Sequence, residues 1–218
     1  QLSSQTSIDE DKCSKAIQDS LLAGYSIKDP ETGFPSFAFR LHQFISRGDT
    51  VYASLDSEQE RFITLQGQKY QPGDRNKILL PLAFCRECGQ EYYVAAKIQS
   101  HGNTRFQPRK LNDTRPEEGE AGFIYFSSLN PWPEDDIGVI ERIPDEWIEE
   151  NANGPAVNNH QRRYLPEPMM INSKGEEVER GIKVAYIPAP FRFCLNCGVT
   201  YGARQSSDYA KLSELSSG

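Results

Sequence analysis

Hydrophobic and polar positions change period along this chain. Between Ser7 and Gly24 the apolar residues Cys13, Ile17 and Leu21 recur at helical spacing. Ser7 is placed to cap this helix, with Asp9 and Glu10 in a first turn whose dipole favours acids. Gly24 is placed to stop it. Residues 1–6 lack the pattern and read as disordered. After a Pro- and Gly-containing turn at 29–33 the period shortens. Strand-like runs follow at 37–45, 51–55, 62–65, 78–84 and 92–98. Gly48-Asp49 and the Gln-Pro-Gly-Asp stretch ending at Asp74 supply turns between them. Strands in such close succession predict a small antiparallel sheet.

The second half is less regular. Residues 122–126 predict a strand, 130–136 a rigid acidic turn, and 144–150 a short helix with Pro144 in its first turn. Residues 151–159 read as a loop and 178–187 as a returning strand. Ser207 is expected to cap a terminal helix over 207–215, with Leu212 and Leu215 on one face. The expectation is an α+β fold: small antiparallel sheets, short helices and many loops in a single domain over 1–218. Its parts are an N-terminal helix (1–24), a strand-rich region (37–98), a loop-rich excursion (99–187) and a C-terminal region with a helix (188–218).

Two Cys-x-x-Cys-Gly motifs give this pattern its chemistry. Cys85 and Cys88 precede Gly89; Cys194 and Cys197 precede Gly198. Each motif closes an apolar run and leads into a tyrosine, Tyr92 or Tyr201. A Cys-x-x-Cys turn offers two thiolates from one tight loop, and a closed zinc site takes four ligands. The glycine admits backbone conformations that other residues resist. The expectation is one structural Zn2+ held by Cys85, Cys88, Cys194 and Cys197. About a hundred residues separate the pairs, so a shared metal would tie the base of a long excursion. A redox pair would need one motif, placed at a helix start, and neither motif has a helix signal after it. Disulfides would need an oxidising compartment, and no apolar signal segment opens the chain. Cys13 is left over and reads as a small core residue.

Composition narrows the function. Only 37% of residues are hydrophobic, with 14 prolines and 16 glycines, which fits short elements around a modest core. No run approaches membrane-spanning length. The net charge of -7 argues against a free-standing basic DNA-binding domain. It is unevenly spread: residues 117–150 hold eleven Asp or Glu against one Arg, so the remainder carries a small positive balance. Just before that segment, Lys97, Arg105, Arg109, Lys110 and Arg115 form a basic strip with His101 and Phe106 among them. Such a strip suits a nucleic-acid backbone, or is a solvated loop balanced by its acidic neighbour. On the 37–45 strand Arg40 and His42 share one face, with Arg47 just beyond, a second candidate contact or a structural polar pair.

No catalytic constellation emerges. The chain has no phosphate-cradling Gly-Lys-Ser/Thr loop, and His42, His101 and His160 form no metal-ligand pair. The carboxylates between Glu134 and Glu150 read as a solvated face. Arg162 and Arg163 read as surface charge.

The combined phrases resemble a known family. The stretch from Phe39 to Gly48, Val51-Tyr52-Ala53, the first motif through Tyr93, the second through Tyr201, and the Leu212-to-Gly218 tail look like a region of large bacterial DEAD/DEAH-box helicases. These superfamily 2 proteins carry a cysteine-rich domain near the C-terminus. They include the MrfA-type repair helicases and helicases of phage-defence systems such as DISARM and Druantia. The resemblance is good over 37–55, 78–93 and 191–218, and weak in the acidic middle apart from the surroundings of Trp132 and Trp147. It implies a zinc-binding insertion between two RecA-like lobes, with both ends of the chain inside a longer cytoplasmic polypeptide. The family's ATP-binding residues have no counterpart here, so ATP would belong to the parent motor alone. The expected role is a non-catalytic accessory domain contacting DNA, the RecA-like lobes or a defence-system partner protein, and no membrane. The alternative is an acidic protein-interaction or DNA-mimicking module of the same motor.

Overall fold

The computed structural model describes residues 2–28, 50–152, 154–202, 205 and 207–214. The chain divides into two units, Gln1–Phe44 and Ile45–Gly218. The expected 37–45 strand with Arg40 and His42, and Arg47 beyond it, lie outside the described residues.

The first unit contains a short helix α1 (Leu2–Thr6) and a longer α2 (Glu10–Ser26). The segment expected to be disordered is therefore helical. Asp9, not Ser7, caps α2, its carboxylate accepting from the Asp11 N–H. Ser7 instead takes a left-handed φ of 56° in the turn between the helices. The helix runs past Gly24 to Ser26, and the Ile27 N–H closes its end on the Ala23 carbonyl. Cys13 is buried, while Ile17 and Leu21 are about half exposed.

The second unit holds twelve strands among the described residues: β1 (Tyr52–Ser54), β2 (Ile63–Thr64), β3 (Tyr70–Gln71), β4 (Asp74–Cys85), β5 (Glu91–Ser100), β6 (Asn103–Pro108), β7 (Glu120–Tyr125), β8 (Ile148–Asn151), β9 (Gly154–Val157), β10 (Glu167–Ile171), β11 (Ile182–Pro188) and β12 (Leu212–Ser213). The path β10-β11-β7-β5-β4-β1-β2 is antiparallel throughout, with β3 and β12 on β4 and β6 on β5. A helix α3 (Asp136–Arg142) lies in the acidic stretch, and a separate hairpin, β8-β9, starts at its end.

The central strands are apolar at consecutive positions because both faces of the sheet are covered. Tyr92, Val94, Phe123, Tyr125, Ala185 and Ile187 enter one core. Their neighbours Tyr93, Ala95, Ile124, Val184 and Tyr186 enter the other. This is strand alternation with no solvent side. The second core is enclosed by sheet closure. The Phe106 N–H bonds the Gly175 carbonyl, the Glu177 N–H bonds the Thr104 carbonyl, and Ile171 bridges Glu177. Thus β6 joins the turn after β10, and the ring β5-β6-turn-β10-β11-β7 returns to β5. The approach is tight at Gly122, where a Cβ would lie 2.3 Å from the Tyr186 ring.

Three expected elements differ, the first being the loop expected over 151–159, which contains β9 paired with β8. Residues 144–150 form one 3-10 turn, Asp145–Trp147, and then enter β8. The terminal helix is replaced by a 3-10 turn, Asp208–Ala210, followed by β12. Ser207 precedes this turn but makes no capping hydrogen bond, and Asp208 accepts from the Phe191 N–H at 2.9 Å, which pins the turn inward. Lys211 follows it into the core, and Leu212 pairs beside Cys85 on β4.

Candidate metal centre

The two cysteine motifs fold alike. In the first, the Gly89 N–H bonds the Cys85 carbonyl at 2.9 Å and the Cys85 N–H bonds the Gln90 carbonyl at 2.8 Å. In the second, the Gly198 N–H bonds the Cys194 carbonyl and the Cys194 N–H bonds the Val199 carbonyl, both at 2.9 Å. The glycines take matching φ values of 74° and 73°, a region that penalises a Cβ. Each turn is closed by an antiparallel pair one residue before the first cysteine, Phe84 with Glu91 and Phe193 with Thr200.

These hairpins bring the four sulfurs within 4.8 Å of one another. Cys88 and Cys194 lie 3.7 Å apart, Cys85 and Cys197 4.0 Å. A tetrahedron of metal–thiolate bonds of about 2.3 Å has sulfur–sulfur edges of about 3.8 Å. A disulfide needs about 2.05 Å. The arrangement is thus one to hold a metal ion. Cys85 and Cys194 face the core, Cys88 and Cys197 the solvent. All four ligand positions are thiols, with no His or carboxylate in the set, which matches a closed structural centre.

The supporting shell was only partly visible in the sequence. The Tyr92 hydroxyl accepts from the Leu195 N–H at 2.9 Å and lies 3.2 Å from the Cys194 sulfur, to which its proton points when that sulfur is a thiolate. Burial, then the nearby Cys194 charge, pushes this phenol far above its usual range. Asn196 donates to the Cys88 sulfur at 3.6 Å. Burial raises the Cys88 thiol, but hydrogen bonds from the Gln90 backbone, Asn196 and neighbouring cysteines bring it down to about 7. Burial pushes Cys194 up. The sequence signal for Tyr92 was its position four residues after Cys88, which Tyr201 repeats after Cys197.

The excursion between the motifs is anchored on the second one. Trp147 meets Phe193 edge to face at 5.0 Å, and Trp132 lies 6.0 Å from the same ring. Arg142 of α3 donates to the carbonyls of Pro131 and Leu195, each at 2.6 Å, with its guanidinium over Trp132. A brace joins the two motifs from the other side. The Arg86 N–H bonds the Lys211 carbonyl, and the Tyr201 hydroxyl donates to that same carbonyl.

The basic strip divides. Lys97 and Arg109 are only 7% and 5% exposed and are corrected from contact residues to internal ones. Lys97 pairs with Glu167 and lies over the Tyr186 ring. Arg109 donates to the carbonyls of Ala95, Gly122, Lys110 and Asp113 and packs on Phe123. Burial lowers its pKa, so the site holds a charge that backbone oxygens must satisfy. Arg105 and Lys110 remain exposed, Arg105 in a loose pair with Glu118 at 3.7 Å. Among the described residues no helix is long and apolar enough to cross a membrane. The chain matches no protein-family model, no curated protein and no solved structure.

Proposed function

We propose that this chain is a non-enzymatic zinc module of a larger superfamily 2 helicase or DNA translocase, acting in phage defence or DNA repair. The observation that carries the zinc reading is the convergence of four thiol sulfurs from two matched hairpins within 4.8 Å. Soft thiolates in a tetrahedral set select zinc among the common divalent ions. Zinc bound there supplies no reaction. Cys85, Cys88, Cys194 and Cys197 hold it, and the residues between Cys88 and Cys194 form a lobe whose two ends it fastens.

The motor context rests on the resemblance of the phrases around both motifs to that helicase family. In this reading the module sits in the cytoplasm beside RecA-like lobes of the same polypeptide, and DNA reaches it through the motor. ATP binds in those lobes. The test is the full reading frame around this chain, together with ATP hydrolysis by the isolated chain. Motor motifs on both sides and no DNA-stimulated hydrolysis are expected. A frame without them, or hydrolysis abolished by a mutation within this chain, overturns the reading.

A second reading has its own observation. Leu129 and Ile137 are 94% and 73% exposed within the acidic stretch. Apolar side chains rimmed by carboxylates suit a protein partner better than a phosphate backbone.

A further inference from the structure

Two cations of the expected basic strip are internal, yet the structure gathers a different set. A groove of about 220 Å³ is lined by Lys69 and Tyr70 at β3, Arg75 at the start of β4, Arg105 on β6 and Lys174 in the turn after β10. These residues span more than a hundred positions of sequence, so no local charge run reveals them. All five are exposed. Lys69, Arg75 and Lys174 form no salt bridge among the described residues. Glu176 is the one carboxylate in the lining, and it accepts from the Asn172 side chain at 3.0 Å. The groove is thus strongly cationic on a chain whose net charge is -7.

Its walls are fixed by backbone bonds. The Leu79 N–H bonds the Lys69 carbonyl at 2.9 Å, and the Ile78 N–H bonds the Ser173 carbonyl at 2.9 Å. The Phe106 N–H bonds the Gly175 carbonyl at 2.7 Å. Gly175 has a φ of 78°, and a Cβ there would press on the Phe106 carbonyl at 3.3 Å. Three distant segments are therefore stitched side by side, each presenting a cation to one trough. Evolution of a merely soluble surface has no need to hold like charges together against their repulsion. A polyanion does repay it, by releasing the counterions that it carries.

We propose that this groove binds single-stranded nucleic acid, with Lys69, Arg75, Arg105 and Lys174 on the phosphates and Tyr70 as a stacking face for a base. Tyr70 is 38% exposed, with the Lys69 ammonium 5.5 Å from its ring centre. An exposed aromatic among backbone-tracking cations is the pattern of sequence-tolerant strand binding, and unpaired bases alone can use it. The proposal rests on the nucleic-acid part of the function above and moves the contact from Lys97 and Arg109 to this groove.

The test is fluorescence anisotropy of the full zinc-loaded chain with a labelled oligothymidine strand, across a salt series. A duplex of equal length and heparin serve as competitors. K69E/R75E should weaken strand binding at least tenfold. If each cation meets one phosphate, the salt slope should fall by about 1.4, at about 0.7 for each phosphate neutralised on a single strand. Y70A should weaken binding severalfold without changing that slope. R162E/R163E, an equal charge change outside the groove, should leave affinity within about twofold, because exposed charges more than a Debye length from the bound strand are largely screened. Unchanged zinc content and melting of each variant separate a binding defect from a folding defect. Strand binding that survives K69E/R75E overturns the groove while leaving a nucleic-acid role elsewhere intact. No strand binding by the parent chain overturns the groove and the DNA-contact role together, and leaves the zinc reading to its own metal assay. Competition by heparin or duplex as strong as by the strand itself overturns the single-strand assignment.

Discussion

Replacing Lys211 with Met should cost this fold a large part of its stability. Lys211 and Asp208 are fully buried, their side chains 0% and 2% exposed. The ammonium donates to the Phe191 carbonyl at 2.7 Å and to the Asp208 carboxylate at 3.2 Å. The same carboxylate oxygen accepts from the Phe191 N–H. Burial lowers the Lys211 pKa, and the Asp208 charge opposes that shift. Met fills nearly the same volume but leaves the carboxylate in the core with one backbone donor. Breaking a buried pair from one side costs about 3–5 kcal/mol. For a domain of this size that is a fall in melting temperature of roughly 6–20 °C. The double variant D208N/K211M removes both charges and should recover more than half of the loss, since a neutral replacement of a buried pair is often close to neutral. The assay is urea unfolding of the zinc-loaded chain followed by fluorescence of Trp132 and Trp147, which sit against Phe193. If K211M unfolds within about 1 kcal/mol of the parent, the pair is not the buried, mutually dependent charge contact argued here.

Two further outcomes follow from packing and charge. Gly122→Ala should destabilise by about 1–3 kcal/mol, because the added methyl meets the buried Tyr186 ring and the core cannot yield; calorimetry checks it, and an unchanged melting temperature would show that the ring can move aside. Burial raises the Asp56 carboxyl, but hydrogen bonds from Ser54, Lys77 and Ser173 outweigh it and hold the carboxyl below its usual value. Its stabilisation is therefore fully present above the unfolded value, about 3.9, and is lost as pH falls through the lower folded value. In acid titrations D56N should be less stable than the parent at neutral pH and converge with it toward pH 2; a constant difference across the range would refute the linkage.

Much of the sheet was legible because its strands are apolar at consecutive positions and bounded by turn residues. The 78–84 and 92–98 runs became β4 and β5, and the Pro-Gly turn before Asp74 joins β3 to β4 with Gly73 at a φ of 80°. The four-cysteine cluster was legible for a different reason: a repeated local motif carries its own geometry. What the sequence hid was context. In β6 the alternation was present, with Thr104 and Phe106 inside and Arg105 outside, but the density of basic residues made it read as an exposed strip, a nucleic-acid contact or a solvated loop. The burial of Lys97 and Arg109 depends on Glu167, Gly122 and Ala95, which only tertiary pairing brings near. The terminal segment carried a cap signal and helical spacing, yet Asp208 found a better partner in the Phe191 backbone. The groove at Lys69, Arg75, Arg105 and Lys174 had no sequence signature, since the β3-β4 hairpin that carries Lys69 and Arg75 meets Arg105 and Lys174 only where the turn after β10 closes the ring.

One zinc held jointly by both motifs is open to native mass spectrometry with elemental analysis of freshly purified chain. The expected result is one zinc per chain, its loss in C88S, and a large drop in stability with that loss, because structural zinc contributes to folding directly. C197S, on the other hairpin, should behave the same way, since each hairpin supplies half of the set. A chain without zinc, two metals per chain, or one zinc retained in both variants would contradict it.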